Sequence, residues 1–322
     1  MKKALITGIN GQDGSYLSEL LLEKGYEVHG ILKRNSVAEN QTARLDDVFN
    51  KINLEYADML DLASLNRVLE QVKPDEIYNL AAQSHVRISF DQPIYTTQVV
   101  AIGTLNILES MKLLCPNSRF YQASSSEMFG NSFDEDGFQR ETTPMHPTSP
   151  YGCAKVYGYN ITRNYRNSYN LFASNGILFN HESPRRGSNF VTNKVAKEAV
   201  RIKYGLTDKL LLGNLDATRD WGHAKDYVNC MWLILQQDTP DDFVCSTGIS
   251  HSVRELCEYV FGKLDLDYKD YVGVDQKYMR PEELTDLKGD SSKARWVLDW
   301  THEYTFETML DEMIEHWNVI YG

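Results

Sequence analysis

The chain has 322 residues, 42% of them apolar and 24% charged, which fits a soluble globular protein of one large domain or two linked ones. A formal net charge of −12 argues against a generic nucleic-acid or anionic-membrane surface. No apolar run approaches the ~20 residues that span a bilayer, and MKKALITGING reaches glycine too soon for a signal-peptide core, so a cytoplasmic protein is expected.

KALITG (3–8) reads as the first strand, and the segment after it carries Leu17, Leu20 and Leu21 at helical spacing. YEVHGIL (26–32) reads as strand two and LEYADML (54–60) as strand three, with a helix ending before Lys73-Pro74. EIYNLAA (76–82) is strand four, a long helix covers 96–113, and RFYQASS (119–125) is strand five. This alternation predicts an α/β fold, a doubly wound parallel sheet with helices on both faces. Beyond it, NLFASNGILFN (170–180) reads as a further strand, 181–193 as a polar stretch, and DYVNCMWLILQQ and FVCSTG as a helix and a strand. The tail, 251–322, has helical segments at VRELCEYVFGKL and FETMLDEMIEHW. Cys115, Cys153, Cys230, Cys245 and Cys257 show no CxxC or His-Cys clustering, so reduced, buried thiols are expected. His181, His223 and His251 lack ligand spacing, and no metal is assigned.

TGINGQDG sets Gly8, Gly11 and Gly14 between the first strand and its helix, with Gln12 and Asp13 in the same turn. Glycines there permit a tight turn and close backbone approach to a pyrophosphate, and the helix N-terminus favours its charge. The pattern in that context predicts a dinucleotide site. Where an NAD site usually offers an acid at the end of strand two, this chain has Lys33-Arg34-Asn35-Ser36. Lys33 and Arg34 suit the 2′-phosphate of NADP, the alternative being a solvated basic loop. Asp58 is placed against the adenine, and Leu80 and Ala81 in NLAAQSHV where backbone passes under the cofactor.

Tyr151 and Lys155 in SPYGCAK are four apart, so a helix carries both on one face. A phenol with pKa near ~10 is a poor base at neutral pH, and a neighbouring ammonium together with a cationic nicotinamide is expected to lower it. SSSEMFG (124–130) adds a carboxylate, Glu127, two residues after the hydroxyl of Ser125. Plain hydride transfer has no use for that carboxylate.

The glycine turn, the serine-bearing strand end and YxxxK in this order resemble the extended short-chain dehydrogenase/reductase superfamily. QASSSEMFG, ETTPMHPTSPYGCAK, NLFASNGILFNHESPRRGSNFVTNKV, LGNLDATRDWGHAKDYV and RPEELTDLKGD further resemble the GDP-mannose 4,6-dehydratases, over nearly the whole chain. The resemblance implies a Rossmann-type domain over 1–180 with a segment returning at about 216–248. A smaller interleaved C-terminal α/β lobe, 181–215 and 249–322, would hold the nucleotide sugar. It implies NADP as cofactor, a GDP-sugar as substrate and a homodimer, or a homotetramer, as the assembly. The implied reaction moves hydride from C4 to C6 with loss of water. Tyr151 is the C4-hydroxyl base, Lys155 its modulator and Glu127 the C5 base, favoured by a pKa raised through partial burial. Ser125 stands where relatives usually have threonine, with the same hydroxyl. Ser84, Asn180, Arg185, Lys194, Arg219, Arg280 and Glu283 are the expected substrate contacts; Arg185 and Arg186 also suit a subunit contact, and an exposed acid is the competing reading of Glu283. The chain departs from the family's form in 33–56, which lacks its serine- and arginine-rich character, at Thr148, where relatives often carry arginine, and in a C-terminal lobe shortened before Arg280. Mannose leads as the sugar, with GDP-N-acetylglucosamine and a GDP-heptose as alternatives, and an epimerase or reductase of the same superfamily as the further one. A non-catalytic nucleotide sensor would keep the glycines but has no use for the Ser-Glu-Tyr-Lys set.

Overall fold

The computed structural model describes residues 1–35, 41–279 and 281–322. The first half runs β1 (Lys3–Thr7), α1 (Gln12–Glu23), β2 (Glu27–Leu32), β3 (Asn53–Tyr56), α2 (Leu62–Val72), β4 (Glu76–Asn79), α3 (Val86–Asp91), α4 (Pro93–Thr97), α5 (Gly103–Leu114), β5 (Arg119–Ser125) and α6 (Pro150–Tyr169). The second continues with β6 (Ala173–Leu178), β7 (Asn180–Glu182), α7 (Val191–Lys203), β8 (Leu210–Leu212), β9 (Thr218–His223), α8 (Ala224–Gln236), β10 (Asp242–Cys245) and β11 (Ser250–Ser252). It closes with α9 (Val253–Gly262), α10 (Tyr268–Tyr271), β12 (Val272–Val274), α11 (Ser292–Leu298) and α12 (Phe306–Tyr321).

Among the described residues, seven parallel strands form one sheet in the order β10-β6-β5-β4-β1-β2-β3. Side chains alternate across a strand, so one short run feeds both faces. Ala4 and Ile6 of β1 join Leu17 and Leu21 of α1 and Met231 and Leu235 of α8 on one face. Leu5, between them, joins Leu65, Val68 and Leu69 of α2 and Ile107 and Met111 of α5 on the other. A separate cluster unites Val195 and Ala199 of α7, Leu256 and Phe261 of α9, and Met309 and Met313 of α12. Two small sheets, β11-β9-β7 and β12-β8, lie outside the main one.

The α/β class and the doubly wound parallel sheet are as the alternation predicts. Several element readings change. Strand three ends at Tyr56, leaving Asp58 in the turn after it. The helix expected over 96–113 is α4 and α5 joined by a π-helical segment, Gln98–Ile102. The strand expected over 170–180 divides, β6 staying in the main sheet and β7 pairing with β9. Cys230 and Cys245 are joined as a disulfide, and of the free Cys115, Cys153 and Cys257 only Cys257 is buried, with Cys153 exposed, correcting the expectation of five reduced, buried thiols.

Candidate active site

The C-terminal ends of β1, β4 and β5 open onto a cleft of about 980 Å³, the position at which open α/β sheets bind ligands. β1 leads into Gly8, whose carbonyl accepts from the Gly11 N–H at 2.9 Å. α1 starts immediately afterwards, with Gly11 as an N-cap that has no side-chain hydrogen bond. A Cβ on Gly14 would stand 2.5 Å from the Gly8 oxygen and 2.6 Å from Ile9 Cα. Any larger residue would push the helix off its strand. Gly8, Gly11, Gln12, Asp13 and Gly14 all line the cleft, and an uncapped helix start offers its N–H groups and positive dipole end to an anion. Opposite, the Thr7 hydroxyl donates to Asn79 at 2.7 Å and accepts from the Leu80 and Ala81 amides, each at 3.0 Å. That network fixes Leu80 and Ala81 on the cleft wall. The turn and wall fit the diphosphate of a dinucleotide.

Lys33, Arg34 and Asp58 are not among the residues lining this cleft. The Lys33 ammonium lies 3.2 Å from Asp58 and donates to the Tyr95 hydroxyl at 3.1 Å. Tyr95 and Asp58 together hold it above its ordinary pKa, against partial burial. Two residues expected to touch the cofactor separately therefore bond each other. Arg34 is exposed and donates to the Asn35 carbonyl. Ser36, next in sequence, lies outside the described residues.

Ser125, Glu127, Tyr151 and Lys155 meet on the cleft wall. β5 ends at Ser125, and a 3-10 turn, Ser126–Met128, follows, whose Glu127 N–H donates to the Ser125 hydroxyl at 3.3 Å. α6 begins beside it: the Ser149 hydroxyl caps the Gly152 N–H at 3.0 Å, and Pro150 occupies the first turn. Gly152 allows the approach, since a Cβ there would stand 2.7 Å from the Glu127 carbonyl oxygen. The cap sets Tyr151 in the first helical turn, and Lys155 follows one turn on, where its ammonium donates to the Ala123 carbonyl at 2.6 Å.

The electrostatics differ from expectation at one point. Burial pushes the Tyr151 phenol above its ordinary value, and the Ser125 hydroxyl only partly offsets this. Lys155, whose ammonium is 5.6 Å from the phenol ring centroid, is itself pulled down to about 8 by burial, with Asp13 acting the other way. In the protein alone the phenol is therefore raised and not lowered; the expected lowering rests also on the cationic nicotinamide.

Ser84, Asn180, Lys194, Arg219 and Glu283 line the same cleft. Lys194 donates to the Leu211 carbonyl at 2.6 Å and lies over the Tyr278 ring. Arg219 is buried and donates to the Thr218 carbonyl at 2.6 Å. Arg185 is brought elsewhere, to Glu19 at 2.6 Å and over the Tyr16 ring at 4.1 Å. The adjacent Arg186 lines the cleft instead, paired with Glu182 at 3.1 Å and lying over Phe190. Arg280 lies outside the described residues. His181 and Trp221, which carried no role in the sequence, also face the cleft; NHE after a strand was the available signal for the first. Among the described residues there is no group of three or more His, Cys, Asp or Glu side chains arranged to hold a metal, and no helix long and apolar enough to cross a membrane.

A family model described as GDP-mannose 4,6 dehydratase matches residues 5–313. GDP-mannose 4,6 dehydratase 2 of Arabidopsis thaliana is 52% identical over 326 residues, 98% of this chain and 86% of its own. The human GDP-mannose 4,6 dehydratase is 49% identical over 338 residues, 97% of this chain and 90% of its own. Among solved structures, a dTDP-glucose 4,6-dehydratase from Bacillus anthracis in complex with NAD superimposes with a TM-score of 0.86. It covers 99% of this chain and 97% of its own at 22% identity, a likeness of fold.

Proposed function

The chain belongs to the GDP-mannose 4,6-dehydratase family, and on that premise we propose how its cleft carries out the reaction. It is a nucleotide-sugar 4,6-dehydratase, a hydro-lyase that converts GDP-mannose to its 4-keto-6-deoxy product. A nicotinamide cofactor bound at the glycine turn supplies a temporary home for hydride, taken from C4 and returned to C6, so no reductant is consumed.

The chain's own groups handle the protons. Tyr151 removes the C4-hydroxyl proton, and the Ser125 hydroxyl donates to the same oxygen. The resulting C4 ketone acidifies the C5 hydrogen, because the carbanion left behind delocalises onto the carbonyl oxygen. Glu127 takes that proton and passes it to the C6 hydroxyl, which leaves as water while the C5–C6 double bond forms. Once hydride has reached C6, C5 regains a proton. Lys155 holds positive charge beside Tyr151 and the nicotinamide ribose. The observation that carries this reading is the placement of Glu127, a buried carboxylate on the turn directly beyond Ser125 and packed against the start of α6.

We further infer NADP rather than NAD, supported by Lys33 and Arg34 after β2, a preference that calorimetric titration of both cofactors measures. Asn180, Lys194, Arg219 and Glu283 are assigned to GDP and sugar, with Arg186 taking the place first given to Arg185. The division into a cofactor domain and a nucleotide-sugar lobe is supported by the two separate hydrophobic clusters on the sheet and around α7, α9 and α12. Ile94, Leu113 and Tyr157, on α4, α5 and α6, are exposed and support a homodimer through those helices. A cytoplasmic location accords with the composition.

The test offers purified protein a panel of GDP-, dTDP-, UDP- and CDP-hexoses without added reductant and follows product mass. GDP-mannose is expected to lose water and the dTDP-, UDP- and CDP-sugars to stay intact. Loss of water from none of the GDP-sugars ends the proposal.

A further inference from the structure

His181 on β7 is buried with both ring nitrogens aimed at acceptors. Nδ1 lies 2.7 Å from the Phe179 carbonyl oxygen and Nε2 lies 2.8 Å from Oδ2 of Asp13. A neutral imidazole has a single N–H and can satisfy only one of these partners; an imidazolium donates to both. Asp13 sits in the first turn of α1 and, like His181, lines the cleft beside Gly11 and Gly14. An uncompensated carboxylate there would occupy the helix's positive end and repel a diphosphate.

We propose that His181 is held as an imidazolium whose charge neutralises Asp13, so that the N-terminus of α1 accepts the cofactor's diphosphate. His181 is a positioning residue in this scheme, acting through Asp13. The inference rests on the reading of the glycine turn as the dinucleotide site. Two further contacts bind the turn to β7 and the residue after it: Gln12 Nε2 donates to the His181 carbonyl at 3.1 Å, and the Ser183 hydroxyl donates to Gln12 Oε1 at 2.8 Å; within the turn, Gln12 Nε2 also donates to Asp13 at 3.0 Å. The groups facing the imidazole are Asp13 from α1, Arg186 from the segment after β7, and the Tyr227 ring of α8, stacked at 4.7 Å. Burial and Arg186 work against the charge; the Asp13 carboxylate outweighs them and sets the net direction upward. Burial likewise opposes ionisation of Asp13, but His181 draws it down to about 2. The pair carries both charges above the range in which Asp13 takes up its proton, and its positive half is lost as pH rises through the raised value of His181.

The experiment uses the full chain. Nitrogen-15 NMR of the histidine rings reads the protonation of His181, and calorimetry reads NADP affinity from neutral to alkaline pH, above the ~6 at which a phosphate takes its second charge. Both ring nitrogens are expected to be protonated at neutral pH, and affinity to fall roughly tenfold per unit of coupling as the ring loses its proton. Asp13→Asn should lose the step assigned to His181 while a step from Lys155 persists; His181→Asn should bind weakly even at neutral pH and lack the same step. A neutral His181 ring at neutral pH overturns the proposal, as does a His181-linked step that survives in Asp13→Asn. A doubly protonated ring in a protein that binds NADP at no pH refutes the dinucleotide reading, and with it the role given to the charge.

Discussion

Glu127→Gln is expected to lower the rate of water loss by roughly 10²–10⁴-fold, the usual contribution of a positioned acid–base group, while leaving oxidation at C4 in place. Glutamine keeps the shape of the side chain but neither accepts the C5 proton nor delivers one to the departing C6 hydroxyl. Tyr151, Ser125 and Lys155 remain, so the first hydride transfer still has its base. In a single turnover the reduced cofactor should therefore accumulate, visible by its absorbance, with a 4-keto sugar that keeps its C6 hydroxyl. Glu127 lies on the 3-10 turn between β5 and α6, whereas the glycine turn follows β1 and the α6 cap is the Ser149 hydroxyl. Unimpaired turnover in this variant would remove Glu127 from the mechanism.

Tyr151→Phe is expected to stop the reaction one step earlier. Without a phenolic oxygen no group takes the C4-hydroxyl proton, and the rate should fall by a comparable ~10²–10⁴-fold with no accumulation of reduced cofactor. That absence distinguishes it from the Glu127 variant, since loss at either residue slows overall turnover alike. The pH profile carries the second signature. Burial holds the Tyr151 phenol above its ordinary range in the protein alone, so the base form must be drawn out by positive charge from the nicotinamide ring and Lys155. The rate should rise with pH as Tyr151 deprotonates, then fall as Lys155, pulled down to about 8, loses the charge that favours the phenolate. Tyr151→Phe should abolish the rising limb in its residual activity. A variant that retains both full rate and that limb would place the base elsewhere.

The sheet was legible because its strands are short apolar runs between helices of clear periodicity: Ala4, Leu5 and Ile6 fill both faces of β1 in three residues. The grouping of the candidate residues was legible where neighbours in sequence are neighbours in space. Ser125 and Glu127 share one turn, and Tyr151 and Lys155 share one helix face. What failed to read was whatever depends on distant partners. β7 has three residues, too few for a periodic signal, so its separation from β6 went unseen. Lys33 and Asp58 were each given to the cofactor because nothing in the sequence shows them 3.2 Å apart. Arg185 and Arg186 are indistinguishable as a dipeptide, yet the ion pair to Glu19 turns the first away and leaves the second in the cleft. Asp13 and His181 are separated by 168 residues, and only the fold shows that both nitrogens of the ring face acceptors. The upward pull on Tyr151 in the protein alone went unread for a related reason: spacing reveals the ammonium four residues on, but the depth of burial is a property of the packed helix.

The central claim is that hydride leaves C4 and returns to C6 of the same sugar while Glu127 removes the C5 proton. GDP-mannose carrying deuterium at C4, turned over without added reductant and analysed by mass spectrometry and proton NMR, tests it most directly. The account predicts a product that has lost water, carries the deuterium in its C6 methyl group, and has exchanged hydrogen at C5 with solvent. A product that keeps its C6 hydroxyl, or that loses water but has surrendered the deuterium to solvent, would contradict it.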